Sequence, residues 1–559
     1  MLLAVALVAG MAARVGDREG GAASFPRDET LYVSATNGGS PTNFNPLDPG
    51  QAYTGAQGLL YEPLFLFDPV RGKFLPWLAT AGSWSGPSTY ELQVRTGVDW
   101  VSSAHGQVVG RLSGADVAYS IELAARNASD PFHADAASVQ GVTVRGSAVT
   151  VRFRAPVGYA PWQEFLWRAP IVPSAEWSRL AAPAVFGGAN NAPVATGPME
   201  LASTSSHEVC YRDNPHWWGS SQLRLSFKFD YLCAVAAGPS GDELSALLAG
   251  RTDWSNELLR GIPDLASNRS GGYDITTYYP GPPYMLPAAT AWLEMDTARS
   301  PMASVNFRRA VAFALDPKAI ASTVYSGAVT AAGPTGLLPA LAPFVDKSVV
   351  DKDGFYHSTS MAKKLLARSG YQGQRLTIDV PEGWTDEIDA ATAISHQLAV
   401  VGVHLEPVVE PLATEHAEVA DGSFDMVIAN GPEPSPTPWT YFNAVYRLPI
   451  TAQQPAGLNE ERYSGPATWA LVRQAAATPL SDSKALDDVY ARLEASFLEQ
   501  LPEIPLWYSG AWFQANTSYW EGYPSSTEAD DQYTPVMWPG WLGSMTTVYA
   551  LAGLKAHRS

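Results

Sequence analysis

The stretch ASVNFRRAVAFALDPKAIASTVYSG, Ala303 to Gly327, decides how this chain is read. Phe307, Ala310, Val311, Ala314 and Leu315 recur at i, i+3, i+4, i+7 and i+8, which lays one apolar stripe along a helix. Asp316 follows as an N-cap with Pro317 at the first helical position, so one helix must stop and another start there. Ile320 and Val324 carry the second helix to Gly327, the expected C-cap. Two short helices joined by such a corner need a further surface to cover their stripes.

Working outward, 559 residues are too many for one core and predict two or three lobes. Charged residues make up 16% of the chain and aromatic ones 11%. Few charges and many rings suit an uncharged, ring-shaped ligand better than a polyanion. The formal net charge of -19 argues against nucleic acid, whose phosphates need a basic surface, and against a polybasic membrane contact. Gly-x-Ser-x-Gly, Walker, Gly-x-Gly-x-x-Gly and His-Glu-x-x-His motifs are all missing from the sequence, and the nine histidines stand singly. No enzyme, metal or cofactor is therefore expected. A glycoside hydrolase with two carboxylates from distant loops stays open as a remote alternative.

The N-terminus carries a short apolar run, Leu2 to Ala13, too short to span a membrane and suited to the core of a leader peptide. No basic residue precedes it, and Met11 stands where a lipoprotein would place a cysteine. Export is expected, with residues 1–28 as leader or anchor and tether; cleavage and retention as an anchor both stay open. Cys210 and Cys233 sit in two strand-like runs separated by a turn, so a disulfide and two buried thiols are both compatible with the sequence.

The segment VNFRRAVAFALDPKAIASTVYSGAVTAAGPTGLLP resembles the most recognisable block of the family 5 extracellular solute-binding proteins, the peptide- and oligosaccharide-binding components of ABC importers. The likeness runs from about residue 30 to 550, with its blocks in the family's order. It implies an α/β, periplasmic-binding-protein-like type II (class C) fold, two main lobes around a ligand cleft plus an additional small lobe. By the same likeness, 29–62, 196–290 and 511–559 form lobe I, 63–195 lobe II and 291–510 lobe III. GLLYEPLFLFDPVRGKFLPWLA looks like the family's helix-then-hairpin entry to the second lobe, and ATGPMEL like its return to the first.

Patterning supplies the elements between these blocks. Ser113 caps a helix after the alternating strand STYELQVRTGVDW, and Gly146-Ser147 turns a hairpin. LTIDVP, a helix with Thr385 as N-cap and Gly402 as C-cap, and VHLEPVV alternate as β, α, β.

Peptide-binding members resemble one another in an Asp-bearing loop after the strand equivalent to FDMVIAN. Here the loop reads GPEPSPTPWTYFNAVY, without that aspartate but with Glu433, and it is similar to the loop of the family's cello-oligosaccharide branch. The implied ligand is cellobiose or another β-linked gluco-oligosaccharide, with an oligopeptide as the alternative. The implied partner is the permease of an ABC importer, and the protein is expected to be a monomer outside the cytoplasm. A sugar wants aromatic planes and amide or acid groups. The candidate ligand residues are therefore Asn37 and Asn45 in the first loop, Trp384, Asn430 and Glu433, then Trp439, Tyr441 and Asn443, and the late cluster Trp507, Trp512, Trp538 and Trp541. Trp217 and Trp218 are assigned to packing.

Overall fold

The computed structural model describes residues 25–34, 43–48, 54–236, 240–267, 274–527, 532–537 and 544–557. Two mixed sheets dominate it. The first has seven strands in the order Met199–Thr204, Glu208–Asp213, Tyr231–Val235, Thr30–Ser34, Trp254–Ser255, Gln514–Asn516 and Ile275–Thr277. The second has six: Thr330–Ala331, Glu503–Ala511, Leu286–Met295, Met426–Asn430, Arg375–Pro381 and His404–Glu410. A four-stranded antiparallel sheet, Ala79–Gly86, Thr89–Val94, Ala148–Phe153 and Val139–Arg145, is built from the segment inserted between strands of the first. This is the expected α/β architecture. The long strands Leu286–Met295 and Glu503–Ala511 pair along their length, and their outer ends adjoin the stretches that enter the first sheet.

The opening block folds as its stripe dictates. Helix Val305–Ala314 buries Phe307, Ala310 and Val311 completely. Asp316 caps the next helix, Pro317–Val324, by accepting from the Ala319 N–H at 3.1 Å. That helix stops earlier than expected: Tyr325 is its C-cap, and Gly327 (φ 80°) instead turns the chain afterwards. Arg308, 3% exposed, donates to the carbonyls of Gln500 and Leu501, so the block locks onto the C-terminal end of helix Ser483–Gln500, where cations suit the dipole.

The β-α-β unit forms with strands Arg375–Pro381 and His404–Glu410 parallel, and helix Thr385–Val401 between them buries Ala390, Ala391, Ile394 and Leu398. Gly402 ends it at φ 95°. The N-cap position belongs to Trp384, not to the expected Thr385, because the chain leaves the strand through Gly383 at φ 88° and turns one residue sooner. The Ser113 capping box and the Arg145–Ala148 hairpin form as read.

Two other expectations are corrected. Residues Thr54–Tyr61 make a strand rather than the helix the family likeness implied; the hairpin Phe65–Asp68 with Lys73–Pro76 does follow. The run TGAQGLLY holds two glycines and too few apolar residues to define a 3.6-residue face, so nothing in it favours a helix. Residues 1–24 lie outside the described residues, and the tether expected to reach residue 28 ends sooner. Phe25 packs on Tyr231, and Arg27 pairs with the buried Asp253.

Cys210 and Cys233 face each other on adjacent antiparallel strands and are joined by a disulfide. The bridge spans 23 residues. A double Cys→Ala variant is expected to lose roughly 3 kcal/mol of unfolding free energy through loop entropy, read as a lower denaturation midpoint.

The inserted segment is fastened to the first sheet's lobe by a buried acid. Glu62, 1% exposed, accepts from the indole N–H groups of Trp77 (2.9 Å), Trp218 (3.1 Å) and Trp217 (3.3 Å). Trp217 and Trp218 do pack, as assigned, and they also donate.

Candidate functional site

Strands Arg375–Pro381 and Met426–Asn430 run parallel, and their carboxyl ends open on one side of the second sheet, where an open α/β sheet leaves a crevice. From the first comes the turn Glu382-Gly383-Trp384; from the second come Asn430 and Gly431. Gly431 is required by close approach: a Cβ there would lie 2.7 Å from the Trp292 ring. The first sheet's lobe supplies the facing wall through Asn256, Glu257 and Arg260.

Three adjoining cavities share Asn430 and form one groove. The first, of about 570 Å³, lies between Asn256 and Arg260 on one side and Trp384, Asp386, Ser509 and Trp512 on the other. Trp384 is 39% exposed there, an uncommon state for the largest side chain. Trp512 stacks on Tyr325 with centroids 6.2 Å apart and an interplanar angle of 12°, which fixes its plane. Tyr325 in turn donates to Asp386 Oδ2 at 3.2 Å. Asn430 Oδ1 accepts from the Ser509 hydroxyl at 2.8 Å. Asn256 is held by its own contacts: its amide donates to the Pro535 carbonyl at 2.8 Å, and its Oδ1 accepts from the Met537 N–H at 2.9 Å. Arg260 reaches across the groove's rim to Asp389 at 2.7 Å; both side chains are about half exposed, so the pair contributes roughly 0–1 kcal/mol.

The second cavity, about 620 Å³, is the acidic end: Asp135, Glu164, Glu433 and Glu460 line it together with Arg168, Arg447, Trp439 and Asn443. The third, about 270 Å³, joins them past Trp384, Glu387 and Glu415. Burial pushes several of these carboxyls up. Glu164 rises to about 8 and Glu415 to about 7, with the Glu460 and Glu410 charges adding to the second. Burial, then the neighbouring Asp386 charge, holds Glu387 well above the usual range. Burial thus favours the neutral form of these acids, in which a carboxyl can donate as well as accept a hydrogen bond.

The groove gathers part of the expected set: Trp384, Asn430, Glu433, Trp439, Asn443, Trp507 and Trp512 all line it. Trp507 is only 1% exposed and forms the back wall. Tyr441 does not belong to the groove. Its hydroxyl donates to the Thr335 carbonyl at 2.8 Å and its ring packs on Trp292 and Phe442, because the helix Trp439–Tyr446 turns that face to the core. Asn45 is turn chemistry: its amide donates to Val185 O and Gly188 O, its Oδ1 accepts from Leu47 N–H, and it lines none of the three cavities. Asn37, Trp538 and Trp541 lie outside the described residues. Sequence reasoning passed over Asn256, Arg260, Ser509 and the pair Asp386-Glu387. Those acids sit in the helix's first turn, where the dipole favours them anyway, although their place directly after Trp384 at a strand's carboxyl end is a signal.

Among the described residues, two groups bring three metal-type ligand atoms together. In the first, Glu208 with Cys210 and Cys233, both sulfurs are already in the disulfide. The second, Asp379, Glu410 and Glu418, is an acidic cluster at the sheet's edge with no other feature pointing to an ion.

No described helix is long and apolar enough to cross a membrane. Comparison with known proteins finds a match over residues 73–451 to the model of bacterial extracellular solute-binding proteins, family 5 Middle. Among solved structures, the chain is similar to a periplasmic oligopeptide-binding protein of an oligopeptide ABC transporter from Thermotoga maritima, at 32% identity over 95% of this chain and 100% of that one, with a TM-score of 0.89. The mannohexaose-bound structure of that protein matches 96% of this chain and 100% of its own, at 32% identity and a TM-score of 0.86. The oligopeptide-binding protein AppA of Bacillus subtilis, solved with a nonapeptide, is 17% identical over 95% of this chain and 99% of its own, with a TM-score of 0.72, and shows the fold alone. Among curated proteins, the chain is 22% identical over 501 residues to the probable ABC transporter periplasmic-binding protein SapA of Escherichia coli K12, covering 83% of this chain and 85% of that protein.

Proposed function

Because the chain belongs to the family 5 bacterial extracellular solute-binding proteins, components of ABC importers, we propose that its groove takes a neutral hexose oligosaccharide, β-linked glucose or mannose units, and hands it to a permease. One observation carries this reading. Trp384, 39% exposed, and Trp512, fixed by stacking, line the same cavity as the uncharged polar groups of Asn430 and Ser509. A sugar ring offers flat C–H faces to such planes and hydroxyls to such amides. Carboxyls whose burial favours the protonated form extend the supply of donors. The mannohexaose complex of the similar Thermotoga protein supports the same ligand class.

In this reading the lobes are 29–62 with 196–290 and 511–559, then 63–195, then 291–510. The paired strands Leu286–Met295 and Glu503–Ala511 act as hinge, and ligand stabilises the closed form by touching both walls. No bond is made or broken. A second reading, an oligopeptide, is favoured by the acidic end of the groove, where Asp135, Glu433 and Glu460 would meet a terminal ammonium group.

A thermal-shift screen with cello-oligosaccharides, manno-oligosaccharides and mixed di- to pentapeptides separates these readings. Ligand at 100 times its Kd adds about 2.7 kcal/mol and raises the Tm. A shift with sugars recovered intact is expected, and Trp384→Ala should weaken that binding about 10- to 30-fold. A shift with peptides alone overturns the sugar assignment, and sugar recovered cleaved overturns the receptor reading.

A further inference from the structure

Helix Tyr159–Arg168 has two working faces. Glu164, Trp167 and Arg168, at i, i+3 and i+4, line the acidic end of the groove. Tyr159, Trp162, Gln163 and Leu166, at i, i+3, i+4 and i+7, look the other way, into a separate cavity of about 820 Å³. This cavity shares no lining residue with the groove. Its other walls are the segment Gly82–Pro87, along and beyond an edge strand, and the turn Pro479–Ser481, between two helices beside the second sheet.

The lining is chemically unlike the groove. It contains no charged side chain, and six rings face it, among them Trp84, Tyr90, Tyr159 and Trp162. These rings brace one another: Trp84 lies 5.1 Å from Tyr90 and 4.7 Å from Tyr159, and Tyr90 lies 5.7 Å from Trp162, all edge to face. The wall is thus preformed. Tyr90 is 7% exposed, and its hydroxyl makes no hydrogen bond with any described residue. It lies over Gly82, where a Cβ would come within 2.6 Å of it. The hydroxyl is not sealed in the wall but opens onto the cavity, where it is available to a ligand.

We propose that this cavity is a second binding site, for an uncharged aromatic molecule of two or three rings carrying one hydrogen-bonding group that pairs with the Tyr90 hydroxyl. The wall decides against a charged ligand, which would lose its hydration with no counter-charge there; Ser83, Ser85, Gln163 and Ser481 add only uncharged polar groups beside the rings. An aromatic ligand loses little water and gains ring contacts on several sides.

The test is a fluorescence titration of the purified full chain with N-phenyl-1-naphthylamine, an uncharged probe that brightens in apolar surroundings, with 2-naphthol as competitor. Saturable, single-site enhancement is expected. Ser481→Trp, which fills the cavity from an exposed turn, should weaken probe binding at least tenfold while leaving the Tm within a few degrees of the original. Tyr90→Phe removes only the hydroxyl and should weaken 2-naphthol about threefold to tenfold while leaving N-phenyl-1-naphthylamine nearly unchanged. Trp384→Ala, which disables the groove, should not alter probe binding. Enhancement that fails to saturate, that survives Ser481→Trp, or that is lost with Trp384→Ala overturns the proposal. Equal effects of Tyr90→Phe on both compounds overturn the role of the hydroxyl.

Discussion

Raising the pH from 5 to 8 is expected to lower the unfolding free energy by on the order of 5 kcal/mol, with a matching fall in Tm. The cause is carboxyls whose burial outweighs the hydrogen bonds they accept. Glu62 and Glu164 are each 1% exposed, and burial pushes them from an ordinary 4.5 up to about 7 and about 8. Between the unfolded value and these raised values, the folded chain holds protons that the unfolded chain has released. Stability therefore falls as pH rises through that window, and the contribution is fully present below about pH 4.5. Each tenfold change in a carboxyl's proton affinity on folding corresponds to about 1.4 kcal/mol, and relaxation and water entry around an ionised side chain take back part of the sum. Glu294, Glu461 and Glu503, all at most 3% exposed and held up chiefly by burial, push in the same direction. Guanidinium titrations at pH 5, 6.5 and 8 measure it. A flat or rising series would show that these acids are ionised and paired after all.

The same protonation bears on the groove. A formal charge of -19 suggests a strongly repulsive cleft, yet Glu387 and Glu415 face it as groups whose burial favours the neutral form. A neutral carboxyl beside an amide offers a hydroxyl-bearing ligand both a donor and an acceptor, without demanding a counter-ion.

What could be read from the chain was what depends on neighbours in sequence. The stripe Phe307–Leu315, the Asp316 cap, the Ser113 capping box and the Gly402 terminus each rest on spacings of one to eight residues, and all formed. Trp384 and Asn430 were reachable too, because a strand's carboxyl end is visible in the pattern. Asn256 was not, since it is held by the carbonyls and N–H groups of residues 512 to 537, nearly 300 positions away. Asn45 and Tyr441 went astray for a related reason. Both residue types suit a ligand, and only the fold shows that their polar atoms are already occupied, by Val185, Gly188 and Leu47 in one case and Thr335 in the other. The Thr54–Tyr61 strand was lost because TGAQGLLY, with two glycines and apolar residues only at Ala56 and its end, carries no period by which strand and helix differ.

Glu62 is the most consequential of these long-range devices, and Glu62→Leu is expected to cost about 3–5 kcal/mol of stability. Leucine fills much of the same space but accepts nothing. Three indole N–H groups on Trp77, Trp217 and Trp218, all at most 3% exposed, would be left dry and unpaired. Glu62→Gln keeps one accepting oxygen and should lose roughly half as much, whereas a purely steric role would make the two variants alike. Because Trp77 comes from the inserted segment and Trp217-Trp218 from the first sheet's lobe, the loss should also loosen that junction. Limited proteolysis should then cut the segment between residues 63 and 195 faster in the leucine variant. A midpoint within 1 kcal/mol of the parent, at unchanged denaturation slope, would mean that the three rings are held by packing alone.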